Sequence, residues 1–97
     1  MKIETKCLHE GYTPGNGEPR VLPIVQSTTY SFDSTEHIAG LFDMPTEFMY
    51  SRFGNPTVDA VEKKIAALEG GVGAMCTTSG QAASLLSVLN ICSAGDS

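Results

Sequence analysis

The sequence predicts an α/β chain, and three features of its second half carry that prediction. A helix-forming stretch from Asn55 stops at Gly70-Gly71, a short run of small and apolar residues follows at Val72–Thr77, and Ser79-Gly80 turns that run into a second helix over Ala82–Ile91. Helix, glycine stop, strand, Ser-Gly turn, helix is the order of a sheet covered by helices. Ala94-Gly95-Asp96-Ser97 then reads as a link into a further strand. A single βα unit leaves a sheet edge unpaired and apolar faces uncovered. The 97 residues are therefore expected to form the N-terminal part of a larger α/β protein.

Residues 1–32 read as an irregular lead-in, because Gly11, Pro14, Gly15, Gly17, Pro19 and Pro23 recur too closely for a long helix or a central strand. Within it Leu22–Phe32 is β-prone but starts at a proline and is rich in hydroxyls. Two readings stand: an extended arm lying on another surface such as a neighbouring subunit, or a surface loop with one short strand. Asp33 is a candidate helix N-cap, with Glu36 three residues on completing a capping-box-like pair. Ile38, Leu41 and Phe42 form an apolar stripe at helical spacing, and Met44-Pro45 ends the helix. Glu47–Phe53 is a loop of large side chains broken by Gly54.

The helix after it is the most clearly marked. Asn55 can cap it, Pro56 occupies the first position where a missing N–H costs nothing, and Asp59 and Glu62 place acid toward its start. Val58, Val61, Ile65 and Leu68 recur on one face, which is expected to be buried, and Asp59–Lys63 is an i,i+4 pair in the favourable order. Lys63 and Lys64 belong to its solvated side, and Gly70-Gly71 supplies the C-cap.

Composition narrows the function classes. Six basic residues against eleven acidic give a net charge of −5 with no basic stripe, which argues against a nucleic-acid partner. No apolar run reaches the roughly 18–20 residues of a membrane-spanning helix, and Met1–Cys7 lacks a signal-peptide core. Cys7, Cys76 and Cys92 are odd in number and show no C-x-x-C spacing, the pattern of reduced thiols in a cytoplasmic protein. Cys76 and Cys92 read as small core residues, and Cys7-x-His9 has no further ligands around it to hold a metal.

Two short motifs can carry chemistry. At Ser79-Gly80-Gln81 the first N–H groups of a helix are unpaired and lie at the positive end of its dipole, a ready seat for a phosphate. The same residues also make an ordinary strand-to-helix connection capped by a serine. A Walker loop is excluded because no lysine follows Gly80, and a hydrolase elbow because Thr77 and Gln81 stand where glycines are needed. The dinucleotide fingerprint fails at Cys76, where a third glycine would be required. At Tyr50-Ser51-Arg52 an extended loop would project a phenol and a guanidinium to the same side. Together they can grip a phosphate or carboxylate, Arg through its bidentate fork; alternatively Arg52 is merely exposed beside a half-buried Tyr50.

Taken together, Tyr50-Ser-Arg-Phe-Gly-Asn-Pro-Thr57, Leu68-Glu-Gly70 and Thr78-Ser-Gly-Gln-Ala-Ala83 resemble the pyridoxal-phosphate enzymes of cysteine and methionine metabolism. His9-x-Gly11, Pro23-Ile24 and Gln26–Tyr30 are similar to that family's N-terminal arm, so the resemblance covers nearly the whole chain. It implies a fold of the aspartate-aminotransferase type. Residues 1–53 would be the arm and subunit-contact segment, and residues 54–97 the start of the large cofactor-binding domain. It implies that the N–H groups of Gly80 and Gln81 hold the phosphate of pyridoxal phosphate in their own subunit. Tyr50 and Arg52 would reach the phosphate of a neighbouring subunit's cofactor, Tyr50 standing also near the substrate's reacting end. The implied assembly is a homotetramer of two dimers with shared sites.

Many lyases of the family have methionine after the Ser-Gly, and Gln81 is more similar to the sulfhydrylases. These replace the acetate of O-acetylhomoserine with sulfide to give homocysteine. A methionine γ-lyase or a cystathionine synthase or lyase is the alternative within the family, and a non-catalytic anion-binding oligomerisation piece the alternative outside it. The family's cofactor-bearing lysine, the aspartate facing the pyridine nitrogen and the ring-stacking aromatic all fall after the position of Ser97. The 97 residues alone are thus expected to be inactive.

Overall fold

The computed structural model describes residues 1–44 and 47–97. Among the described residues it contains four helices: α1 (Ile3–His9), α2 (Thr35–Asp43), α3 (Pro56–Glu69) and α4 (Gly80–Ile91). The described residues bury almost no apolar side chain. Leu41 of α2, 3% exposed, is the sole buried apolar residue among the described ones. The accessible surface is 8077 Å², against about 5,400 Å² for a compact protein of this mass. The radius of gyration of 16.8 Å likewise exceeds the roughly 12–13 Å of a compact 97-residue domain.

Helix α3 organises what packing there is. Asn55 caps it, its Oδ1 accepting from the N–H of Thr57 at 2.9 Å and of Val58 at 3.4 Å, with Pro56 at the first position as predicted. Its other end closes at Gly70 in the left-handed region (φ 68°), where the Gly71 N–H reaches Ala66 O at 2.9 Å. The Asp59–Lys63 pair forms at 2.8 Å; being exposed, it is worth about 0.3–0.5 kcal/mol. The expected buried face is not buried. Val58, Val61 and Ile65 remain 44–48% exposed; the helix packed against α3 is α1, which the sequence-based expectation lacked. Gly11 makes that approach possible: it sits at φ +94°, and a Cβ there would overlap the Ala60 carbonyl oxygen.

The β-prone segment behaves as an arm folded back on the start of α3. Thr29 and Tyr50 form a single antiparallel bridge. Ser51 N–H donates to Thr28 O at 2.8 Å, and Ser51 Oγ donates to Ser27 O. Further along, Val25 N–H donates to Thr57 Oγ1 at 2.9 Å, and Asn55 Nδ2 donates to Val25 O at 3.1 Å. Asn55 therefore uses both ends of its amide, the oxygen to cap α3 and the nitrogen to hold the arm.

Further expectations are corrected. Residues 72–77 form no strand: a strand exists by pairing, and among the described residues no extended segment runs alongside them. Instead Cys76 N–H is taken up by the Glu62 carboxylate of α3 at 2.7 Å, while Gly73, Met75 and Thr77 face Ala83, Leu86 and Asn90 of α4 across an open groove. Cys76 and Cys92 are consequently exposed and not core residues. Helix α2 is capped by Ser34, whose Oγ accepts from His37 N–H at 3.1 Å. That cap leaves Asp33 outside and puts Glu36 one position too early for a capping box. Phe42, expected on the α2 stripe, is 67% exposed. The expected Pro45 stop lies outside the described residues.

Replacing Asn55 by Asp keeps the cap but removes the donor to Val25 and sets a carboxylate against a carbonyl. In the full-length protein, N55D is expected to speed hydrogen exchange across residues 22–30 and to lower stability by about 1–3 kcal/mol. Unchanged exchange in the arm would show that the Asn55 amide does not hold it.

Candidate phosphate site

Helix α4 begins two residues earlier than expected, at Gly80, so that Ser79 is its N-cap. Ser79 adopts an extended conformation (φ −159°, ψ 161°), and its Oγ accepts from Ala82 N–H at 3.1 Å. Its carbonyl takes the Ala83 N–H at 3.1 Å, the first bond of the helix proper. The N–H groups of Gly80 and Gln81 remain, and neither makes a hydrogen bond among the described residues. The serine cap and the anion seat, which the sequence left as alternatives, are compatible: the cap satisfies one orphan donor and leaves two facing outward. No heavy atom lies within 4 Å of where a Gly80 Cβ would stand, so the approach to these donors is open. Thr77 Oγ1 donates to Ser79 O at 2.8 Å and tightens the turn from the other side.

The second element differs from its expectation in shape. Residues 50–54 form a turn and not an extended loop, with Phe53 and Gly54 N–H both donating to Tyr50 O at 3.0 and 3.1 Å. The turn brings Arg52 back over its neighbours, its guanidinium carbon 5.0 Å from the centre of the Tyr50 ring and 5.6 Å from that of Phe53. Tyr50 and Arg52 are thus together, Tyr50 half-buried and Arg52 exposed. Arg52 makes no ion pair among the described residues. The guanidinium lies over both rings and meets no acid among the described residues, so its N–H donors are available to an anion.

No hydrogen bond, ion pair or helix packing joins the Tyr50–Arg52 turn to the Gly80–Gln81 end of α4 among the described residues. Nor do these four residues line the cleft of about 560 Å³ between α1, the lead-in and α3, which is walled by Leu8, Tyr12, Val21, Leu22, Val61 and Ile65. Sequence reasoning overlooked Ser51, which ties the turn to the arm. Its signal was a hydroxyl directly between the two anion-gripping residues, opposite the hydroxyl-rich stretch 27–29.

Among the described residues, two N–H groups at a helix start without hydrogen-bond partners and an arginine without an ion pair are donors of the kind an anion can take. Residues 4–97 match the model of the Cys/Met metabolism PLP-dependent enzymes, and the chain belongs to that family. The O-acetyl-L-homoserine sulfhydrylase of Leptospira meyeri is 48% identical over 98% of this chain and 22% of its own length. O-acetyl-L-homoserine sulfhydrylase 1 of Thermus thermophilus is 49% identical over 99% of this chain and 23% of its own. A Campylobacter jejuni structure described as an O-acetylhomoserine (thiol)-lyase, holding N'-pyridoxyl-lysine-5'-monophosphate, superposes with a TM-score of 0.82 at 33% identity, covering 99% of this chain and 24% of that one. The chain thus spans between a fifth and a quarter of the length of these relatives. The donors present fit the phosphate of pyridoxal phosphate: unpaired N–H groups with open access, and an unpaired guanidinium.

Proposed function

We propose that the intact protein is a pyridoxal-phosphate-dependent sulfhydrylase making homocysteine from O-acetylhomoserine and sulfide. The choice of activity rests on one observation, the 48% and 49% identity to relatives named O-acetyl-L-homoserine sulfhydrylase across almost all of this chain. In this γ-replacement the C–O bond to acetate breaks and a C–S bond to sulfide forms. When bound, pyridoxal phosphate supplies the electron sink for the amino-acid substrate, and the protein supplies binding and orientation.

In this reading the Gly80 and Gln81 N–H groups anchor the phosphate at the start of α4, with the helix dipole adding to the attraction. Arg52 adds a bidentate contact, and Tyr50 one hydrogen bond on the side of the substrate's reacting end. The two sets have no link within one chain among the described residues, which supports a phosphate shared between subunits of a homo-oligomer, a tetramer of two dimers. Residues 1–53 then serve as arm and subunit contact, and residues 54–97 open the large domain of an aspartate-aminotransferase-type fold. A cytoplasmic setting accords with three free cysteines. No described helix is long and apolar enough to cross a membrane.

The full-length protein is expected to release homocysteine from O-acetylhomoserine plus sulfide, and far less product from methionine or cystathionine. No homocysteine from the first pair would overturn the assigned activity.

The anchor can be tested separately. Gly80→Pro places proline at the first position of α4, where Ser79 is already extended and space is open, so the helix survives and one donor disappears. Cofactor affinity of the full-length protein should fall by about 1.5–3 kcal/mol, as expected for a lost hydrogen bond to a charged group, with helix content unchanged. Mixing Gly80→Pro with Arg52→Ala subunits tests sharing: each mixed dimer regains one intact site and hence activity if Arg52 acts across the interface. No recovery would place both contacts in one subunit.

A further inference from the structure

Within the Tyr50–Arg52 turn, the side-chain bonds to the arm and to the α3 cap all run through Ser51. Ser51 N–H donates to Thr28 O at 2.8 Å, its hydroxyl donates to Ser27 O, and the same oxygen accepts from Asn55 Nδ2 at 3.1 Å. Both capacities of the hydroxyl are used, one toward the arm and one toward the cap of α3. The residues on either side point elsewhere: Tyr50 enters the bridge to Thr29, and Arg52 carries its guanidinium over the Tyr50 and Phe53 rings with no acidic partner among the described residues. Tyr50 O, accepting from Phe53 and Gly54, closes the turn on itself. Ser51 is thus the residue of the turn that bonds both to the arm and to the cap of α3.

We infer that Ser51 is a positioning residue: it presents the Arg52 fork, together with Tyr50, to the cofactor phosphate without touching that phosphate itself. The inference rests on the reading of Arg52 as a phosphate contact. The hydroxyl matters and not merely a small side chain, because the backbone bond to Thr28 would persist in an alanine variant while the two hydroxyl bonds would not. An unpinned turn costs nothing at the ring of the cofactor and weakens only what the guanidinium grips.

The test compares pyridoxal phosphate with pyridoxal, which lacks the phosphate, in titrations of the full-length cofactor-free protein followed by absorbance. Ser51→Ala should raise the Kd for pyridoxal phosphate about threefold to tenfold, the range of one or two neutral hydrogen bonds, and leave that for pyridoxal unchanged. Ser51→Thr, which keeps the hydroxyl, should restore the Kd to within about twofold. In an Arg52→Ala background, Ser51→Ala should add nothing, since the group it positions is gone. Equal weakening of both ligands, or a lowered unfolding midpoint with the ratio of the two Kd values intact, would reduce Ser51 to a structural role and overturn the inference. If Arg52→Ala itself leaves that ratio unchanged, the reading of Arg52 falls; if Arg52→Ala collapses it and Ser51→Ala does not, only the inference about Ser51 falls.

Discussion

One side-chain amide serves both the arm and the start of α3. Asn55 caps α3 with its oxygen and holds the arm and the Tyr50–Gly54 turn with its nitrogen. Without that double use, α3 would still be a helix, because Pro56 and the Gly70 stop define it independently. The arm would lose its register on the helix, and with it the direction in which Tyr50 and Arg52 face. Thr57 repeats the device on a smaller scale, its hydroxyl accepting from Val25 N–H and donating to Pro23 O. An extended segment with few partners of its own is thus fixed by the polar groups of the first helical turn, whose donors and acceptors would otherwise face water.

Local chemistry was legible in the sequence wherever a single residue decides it. Asn55-Pro56 and Gly70-Gly71 mark the ends of α3 because cap geometry depends on only a few neighbours. Ser79-Gly80 was read as the turn into α4, although the helix begins at Gly80 and not at Ala82. What the sequence could not supply is anything that depends on partners across the chain. Val72–Thr77 has strand composition, yet a strand needs a neighbour to pair with. Ser34 took the cap expected of Asp33, since the two differ by one residue in where the helix begins. Helix α1 escaped notice because seven residues give too short a window for periodicity to show.

Type and spacing picked out the candidate site residues, but not their geometry. Arg52 and Tyr50 were expected side by side on an extended loop; a turn brings them together instead, with the Arg52 guanidinium over the Tyr50 ring. The family resemblance and the matched family model cover the same span, so the motifs that suggested the cofactor are those shared with the relatives. Helix α4, apolar on nearly every face with Leu85, Val88, Leu89 and Ile91 exposed, has the composition of a helix meant to be covered.

The Asn55-Pro56 pair also bears on how the protein ages. An asparagine loses its amide when the backbone nitrogen of the next residue attacks the side-chain carbonyl, and proline has no N–H to lose in that closure. Because that nitrogen belongs to Pro56, the usual route from amide to carboxylate is shut at the one position where a carboxylate would release the arm. The residue that starts the helix also shields the clamp beside it from slow chemical decay.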